Sequence, residues 1–146
     1  MTEGSVKGTS TNCADPPTSV LVVEDDAVLA LDIEEILREA GVNDVTLCST
    51  TEESLVALRE KTPDVLVLDV HLADSDDGWA VAELVRTLGP KGPRVIFSTG
   101  SPTDIPEDIA AIGIVLEKPY DKSVLLDAIC QPETPGLLSR LRNVLR

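Results

Sequence analysis

From Ser19 onward, short apolar runs alternate with longer segments in which apolar residues recur every three or four positions. Five runs have the length of a strand, and they cover residues 20–23, 45–48, 65–68, 95–98 and 114–116. Strands that alternate with amphipathic helices are typical of βα units that build a parallel sheet. The pattern therefore predicts an α/β fold.

The segments between the runs predict five helices. In the first, ended by Gly41, one helical face is apolar and carries Leu29, Ile33, Ile36, Leu37 and Ala40. Thr50 and Glu53 have the capping-box spacing that opens a second helix. A third helix is predicted over residues 79–88, a short polar fourth near 106–111, and a fifth that Asp121 can cap.

The two ends differ from the segment between them. Residues 1–18 are rich in Thr, Ser, Gly and Pro, offer nothing to bury, and are interpreted as a disordered tail. Residues 132–146 predict an added C-terminal amphipathic helix with Leu137, Leu138, Leu141 and Leu145 on one side. Its leucines either cover the sheet or form a partner surface. Residues 19–131 form the predicted domain.

Composition fits this picture, because 146 residues with 42% hydrophobic and only 2% aromatic side chains suit one aliphatic core. The net charge of −14 argues against nucleic-acid binding. No apolar stretch approaches the roughly 18 residues of a membrane span, so a cytoplasmic protein without a membrane partner is expected. Cys13, Cys48 and Cys130 are odd in number and widely spaced, which favours reduced thiols.

Polar residues follow four of the five apolar runs, at the sheet edge where open parallel sheets bind ligands. They are Glu24, Asp25, Asp26, Asp69, Thr99 and Lys118. Carboxylates suit a hard cation such as Mg²⁺, which Glu24, Asp25 and Asp69 would hold. With the cation neutralising nearby oxygens, Asp69 becomes a nucleophile toward phosphorus. Lys118 adds a second cation and Thr99 a hydrogen-bond donor, so the edge has the parts that phosphoryl transfer requires.

Four segments resemble the landmarks of response regulator receiver domains, the phosphorylated modules of two-component signalling. They are Val-Val-Glu-Asp-Asp at 22–26, Val-Leu-Val-Leu-Asp at 65–69, Phe-Ser-Thr-Gly at 97–100 and Glu-Lys-Pro-Tyr at 117–120. They stand in the family's order across about residues 20–130. The resemblance implies a flavodoxin-like, doubly wound five-stranded parallel sheet with the strand order 2-1-3-4-5. A chemotaxis receiver is a known example of this order.

The resemblance also implies roles for individual residues. Asp25 would bind Mg²⁺ directly and Glu24 through water, Asp69 would be phosphorylated, the backbone carbonyl of His71 would be a metal ligand, and Thr99 and Lys118 would contact the phosphoryl group. Pro119 would follow a cis peptide bond. The donor would be a histidine kinase or a histidine phosphotransfer protein, and output would be binding to a downstream protein. No enzymatic activity beyond self-phosphorylation and self-dephosphorylation is expected.

The chain departs from the commonest receiver pattern. Val115 stands where many receivers carry an aromatic residue, and Gly100 follows Thr99 in place of alanine. Rotation of an aromatic ring is therefore not available as a switch. The pattern resembles variant, often stand-alone receivers with a Phe-Ala-Thr-Gly strand end, although Ser98 replaces that alanine. The loop from Asp69 to residue 78 is one residue longer than is usual.

Several of these residues also allow other interpretations. Asp25 or Asp26 could simply cap a helix. A haloacid-dehalogenase-type phosphatase also uses a strand-end Asp, but it needs a second Asp two residues later, where His71 stands. Residues 74–78 suggest a calcium loop, but Val85 holds the position of its glutamate. An unphosphorylated interaction module on the same fold stays open.

Overall fold

The computed structural model describes residues 15–70 and 78–130. Five strands and five α-helices lie within these ranges. In chain order they are β1 (Ser19–Val23), α1 (Ala27–Glu39), β2 (Asp44–Cys48), α2 (Thr51–Glu60), β3 (Val65–Asp69), α3 (Gly78–Leu88), β4 (Arg94–Thr99), α4 (Glu107–Ala110), β5 (Gly113–Glu117) and α5 (Lys122–Ile129). Each predicted strand is present and extends its apolar run by one residue at one end or at both.

The strands form one sheet in the order β2-β1-β3-β4-β5, and every pairing is parallel. The predicted order 2-1-3-4-5 is confirmed. Asp69 at the end of β3 pairs with Ser98 of β4, and Thr99 pairs with Glu117 at the end of β5. Because the strands end in register, the polar residues that follow them share one edge.

Both faces of the sheet are covered, which explains why β1 and β3 are buried along their whole length. Val20 and Val22 pack on the side of α1 and α5, while Leu21 and Val23 pack on the side of α2, α3 and α4. Successive side chains of a strand point to opposite faces, so a run of aliphatic residues fills two cores at once. Phe97, which is fully buried, lies in the second of these cores.

The residues predicted to cap α2 and α5 are the N-cap residues in the structure. The Thr50 hydroxyl accepts a hydrogen bond from the amide of Glu53, and the Glu53 carboxylate accepts one from the amide of Ser49. Asp121 is the N-cap residue of α5 but makes no capping hydrogen bond with its side chain. In α1, Ile33 and Leu37 of the predicted apolar face are buried, as is Ala30 beside that face. Leu29, at the N-terminal end of the face, is 40% exposed.

The last strand approaches its neighbour closely. A Cβ atom at Gly113 would lie 2.3 Å from the carbonyl oxygen of Val95, so glycine is required for β5 to pair with β4 at this point. At the start of β4, the Arg94 guanidinium donates hydrogen bonds to the carbonyls of Ala128 and Ile129. These bonds satisfy two of the carbonyls that the end of α5 leaves without helical partners.

Several predictions lie outside the described residues: most of the tail at 1–18, the C-terminal helix at 132–146, and the loop with His71. Among the described cysteines, Cys48 is a free, buried thiol, as expected. Cys130 is disulfide-bonded, so the expectation of reduced thiols is wrong there. In the part of the chain that the structure describes, no helix is long and apolar enough to cross a membrane.

Candidate functional site

Three acidic side chains meet at the carboxyl edge of the sheet. Glu24 and Asp25 follow β1, and Asp69 ends the neighbouring strand β3. One carboxylate oxygen from each lies within 4.8 Å of the other two. Glu24 and Asp69 are each only 3% exposed, while Asp25 is open to solvent. The three acids predicted from the sequence are therefore brought together, with two buried and one at the surface.

Asp26, the fourth acidic candidate, has a different task. Its carboxylate accepts hydrogen bonds from the amides of Val28 and Leu29 and thereby caps α1. Its own amide donates to the Glu24 carboxylate over 3.2 Å. The interpretation as a helix cap is thus correct for Asp26, and Asp25 remains with the acidic cluster.

Lys118 enters the cluster from the turn after β5. Its Nζ lies 3.4 Å from Oε1 of Glu24 and 3.5 Å from Oδ2 of Asp69. Its amide donates to the carbonyl of Thr99 over 2.7 Å, which fixes the backbone of the turn to the end of β4. The predicted cis peptide bond before Pro119 is present.

The two buried carboxylates affect each other's environment. Burial, followed by the hydrogen bond and the charge of Asp69, raises the pKa of Glu24 to about 7. Burial lowers the pKa of Lys118, but the charges of Asp69 and Glu24 and the hydrogen bonds to them outweigh it, so this pKa is raised. The ammonium therefore stays charged, and the site holds a proton near neutral pH that a cation could replace.

Thr99 completes the edge from β4. Its side chain is fully buried, and its Oγ1 accepts a hydrogen bond from the amide of Ser101 over 2.9 Å. A hydroxyl that accepts in this way keeps its own hydrogen for donation. The hydroxyl predicted to face the acidic cluster therefore lies at the end of the strand next to Asp69.

Sequence reasoning missed one contact in this region. The hydroxyls of Ser98 and Tyr120 lie 2.9 Å apart, with Ser98 almost fully buried. From the sequence, Ser98 is distinguished only by replacing the alanine of the receivers that this chain resembles. The signal that could have found the contact is a polar side chain in a buried strand, since buried hydroxyls need a partner.

A cleft of about 510 Å³ lies beside the site, between α1 and the turn after β5. Its lining contains acidic, basic and apolar side chains, among them Glu24, Leu29, Ile36, Lys118, Tyr120 and Leu125. Leu29 is thus exposed because it faces this cleft. His71, predicted to supply a backbone ligand, lies outside the described residues, and its role stays a prediction.

Comparison with known families gives one clear match. The sequence profile of the response regulator receiver domain matches residues 20–130. This range begins one residue after the start of β1 and ends at the residue that follows α5. It includes every residue of the acidic cluster as well as Thr99 and Lys118.

Individual relatives cover parts of the chain. The phyllosphere-induced regulator PhyR of Methylorubrum extorquens is 33% identical over 91 residues, which are 61% of this chain and 33% of PhyR. The transcriptional regulatory protein PdtaR of Mycobacterium tuberculosis is 30% identical over 115 residues, which are 77% of this chain and 55% of PdtaR. The chain thus spans between a third and just over half of the length of these relatives.

The fold has a solved counterpart that contains a metal ion. The receiver domain of a sensor histidine kinase from Pseudomonas aeruginosa PAO1 has a TM-score of 0.65, with 22% identity over 78% of this chain and 98% of that domain. In that structure a magnesium ion is coordinated in the active-site cleft. At this level of identity the likeness supports the fold.

Proposed function

The chain belongs to the response regulator receiver domain family, and from that premise we propose that Asp69 accepts a phosphoryl group from a histidine kinase or a histidine phosphotransfer protein. The observation that carries the proposal is the position of the Lys118 ammonium, within 3.5 Å of both Glu24 and Asp69 in the acidic cluster. A site of this kind serves signalling, and turnover of a substrate is not expected.

Mg²⁺ fits the donors of the site. Three carboxylates whose oxygens lie within 4.8 Å of one another offer the hard ligands that this ion prefers. Glu24, Asp25 and Asp69 would hold it, together with the backbone carbonyl of His71. When bound, Mg²⁺ neutralises negative charge on the carboxylates and on an incoming phosphoryl group.

Asp69, Lys118 and Thr99 have separate roles in the proposed transfer. A carboxylate oxygen of Asp69 attacks phosphorus as the bond to the donor's imidazole nitrogen breaks, which leaves an acyl phosphate on the protein. Lys118 stabilises the negative charge of the equatorial oxygens, and Thr99 donates a hydrogen bond to one of them. Burial of Asp69 strengthens these interactions because water is excluded.

We propose that the donor docks on the exposed side of α1. This helix starts at the acidic edge and exposes Val28 and Leu31 to 75% and 59%. Val28 and Leu31 are three positions apart and therefore neighbours on one face of the helix, where they offer an apolar contact. A donor docked there would stand next to Asp69. Because such donors take their phosphoryl group from ATP, we propose a cytoplasmic location.

We propose that output passes through residues 100–111 to a downstream protein. This segment contains a short 3₁₀ turn, Pro102–Asp104, and the single helical turn of α4. Few main-chain hydrogen bonds would have to be rearranged there, so the cost of moving it is small. Val115 packs against the core beneath this side of the sheet and leaves the aromatic switch unavailable. The net charge of −14 favours a protein target over nucleic acid.

The phosphorylation site is tested with acetyl phosphate and Mg²⁺. We expect one acid-stable, hydroxylamine-labile phosphoryl adduct per chain, located on Asp69 by mass spectrometry and lost in Asp69→Ala. Asp127→Asn, which changes an exposed carboxylate on α5, is the matched control and should retain the adduct. An adduct on another residue, or none at all, would refute the proposal.

A second candidate function is an unphosphorylated interaction module on the same fold. The cluster of Glu24, Asp25 and Asp69 with Lys118 disfavours it, because a degenerate pocket would not need to keep these charges together. Titration with Mg²⁺ separates the two, with the fluorescence of Trp79 as the signal. A saturable response supports the receiver function, and no response supports the interaction module.

Residues 19–131 remain our proposed domain limits, with the proposed tail at 1–18 and the proposed helix at 132–146 outside them.

A further inference from the structure

The turn that carries Lys118 is attached to the end of β4 at two points. The Lys118 amide donates to the carbonyl of Thr99 over 2.7 Å. Two residues further along, the hydroxyl of Tyr120 shares a hydrogen bond of 2.9 Å with the hydroxyl of Ser98. Thr99 and Ser98, which are consecutive in β4, thus bind Lys118 and Tyr120 of the turn. The first contact joins backbone groups and the second joins side chains.

The Ser98 end of the second attachment lies in the core. Ser98 is only 1% exposed, and its partner in β3 is Asp69. Tyr120 packs against the core on the side of α1 and α5, so its ring enters from the same face as the cleft. The bond is partly buried and joins residues 22 positions apart, so it fixes the turn to the strand. A buried hydroxyl such as that of Ser98 needs a partner of this kind.

We propose that Ser98 and Tyr120 are positioning residues for Lys118, and that their hydrogen bond keeps its ammonium on the acidic cluster; the proposal rests on the proposed phosphorylation of Asp69. A lysine side chain is long and flexible, so its ammonium reaches one point only when the backbone beneath it is fixed. Here the ammonium reaches Glu24 and Asp69 at 3.4 and 3.5 Å, distances that a small shift of the turn would lengthen.

The pair also connects the two groups that would contact the phosphoryl oxygens. Ser98 precedes Thr99, and Tyr120 follows Lys118 by two residues. A bond between them holds the distance between hydroxyl and ammonium, which is the condition for both to act on one group of oxygens. Neither Ser98 nor Tyr120 touches the reacting atoms, so they act through Thr99 and Lys118.

The test compares Tyr120→Phe, Ser98→Ala and the double variant with the wild type. One readout is the rate of Asp69 phosphorylation by acetyl phosphate at saturating Mg²⁺. The other is hydrogen exchange at the Lys118 amide without any phosphodonor. The matched control is Ser54→Ala, which removes another buried serine hydroxyl, one that donates to the Thr51 carbonyl in α2.

We expect each single variant to be phosphorylated about 3- to 10-fold more slowly and to exchange the Lys118 amide faster by a similar factor, as the loss of one hydrogen bond allows. The double variant should be no slower than the slower single variant, because the partners share one interaction. Ser54→Ala should change neither quantity.

Three results would overturn the inference. The first is wild-type phosphorylation and exchange in both single variants. The second is faster exchange with an unchanged phosphorylation rate, which would make the pair purely structural. The third is additive losses in the double variant. If the wild-type protein never acquires a phosphoryl group, the proposed function is refuted instead. Hydrogen exchange at the Lys118 amide of the variants would then test by itself whether the hydrogen bond between Ser98 and Tyr120 holds the turn in place.

Discussion

Replacement of Glu24 by glutamine should stabilise the metal-free protein near neutral pH. The pKa of Glu24 is raised from 4.5 to about 7, first because burial disfavours the charged form and then because Asp69 lies beside it. Between these two values the folded protein holds a proton that the unfolded chain releases. Stability therefore falls as the pH rises through this window, which is the opposite of the usual case of a salt-bridged carboxylate.

The size of the effect follows from the shift. A difference of one pKa unit corresponds to about 1.4 kcal/mol, so the burial of Glu24 and its proximity to Asp69 together cost on the order of 3 kcal/mol of stability at pH 7 to 8. The side chain is 3% exposed, so solvent screening gives little relief. Glutamine resembles the protonated acid and carries no such cost. The variant should gain on the order of 3 kcal/mol at pH 7.5 and almost nothing at pH 4.5.

Urea unfolding in the presence of EDTA measures this difference at several pH values. Glu52→Gln, an exposed position in α2, serves as the control and should show no comparable gain. Mg²⁺ should favour the wild type again, since a ligand at 100 times its dissociation constant contributes about 2.7 kcal/mol to the folded state that binds it. A stability difference between Glu24→Gln and the wild type that stays constant from pH 4.5 to 8 would refute the reasoning.

Three further predictions concern the metal, the last strand and the second helix. The dissociation constant for Mg²⁺ should rise by about tenfold in total as the pH falls from about 8 to 6, because the proton on Glu24, whose pKa is about 7, competes with the ion; Trp79 fluorescence measures it, and a constant value would contradict the shared site. Gly113→Ala should lower the free energy of unfolding by about 1–3 kcal/mol, since its Cβ meets the backbone of the neighbouring strand. Gly100→Ala, with open space around it, should change stability by less than about 0.5 kcal/mol, and equal losses in urea unfolding would refute the steric argument. Thr50→Ala removes the N-cap of α2 and should cost about 1 kcal/mol in the same assay; an unchanged midpoint would mean that the cap contributes nothing.

The sheet could be predicted because its central strands β1 and β3 are buried along their whole length. Such strands appear in the sequence as unbroken aliphatic runs, and each of the five predicted runs lies within an observed strand. The burial of α1 was predicted less well, since Leu29 and Ala30 are neighbours on the helix and an apolar pattern cannot decide between them. Which one is covered depends on how α1 is rotated against the sheet and the other elements that pack on it. Local periodicity does not contain that information.

The candidate site was predictable for a related reason. Glu24 and Asp69 follow their apolar runs directly and Lys118 follows one residue later, and parallel strands bring such positions to one edge. The pairing of Ser98 with Tyr120 was not predictable in this way, because it joins a strand interior to a turn. The division of labour between Asp25 and Asp26 was also open from the sequence. It depends on where the first turn of α1 begins, which the backbone decides.

Cys48 gives this domain a built-in chemical reporter. It ends β2, its thiol is free and buried, and its carbonyl accepts the amide of Glu24 over 2.9 Å. Burial, followed by the charge of Glu53, raises the pKa of this thiol and makes it unreactive while the strand is in place. The rate at which a thiol reagent labels Cys48, followed on its own peptide, therefore counts how often this edge of the sheet opens. The same measurement would follow the response of the pocket to an ion or a phosphoryl group through a residue that the chain already contains.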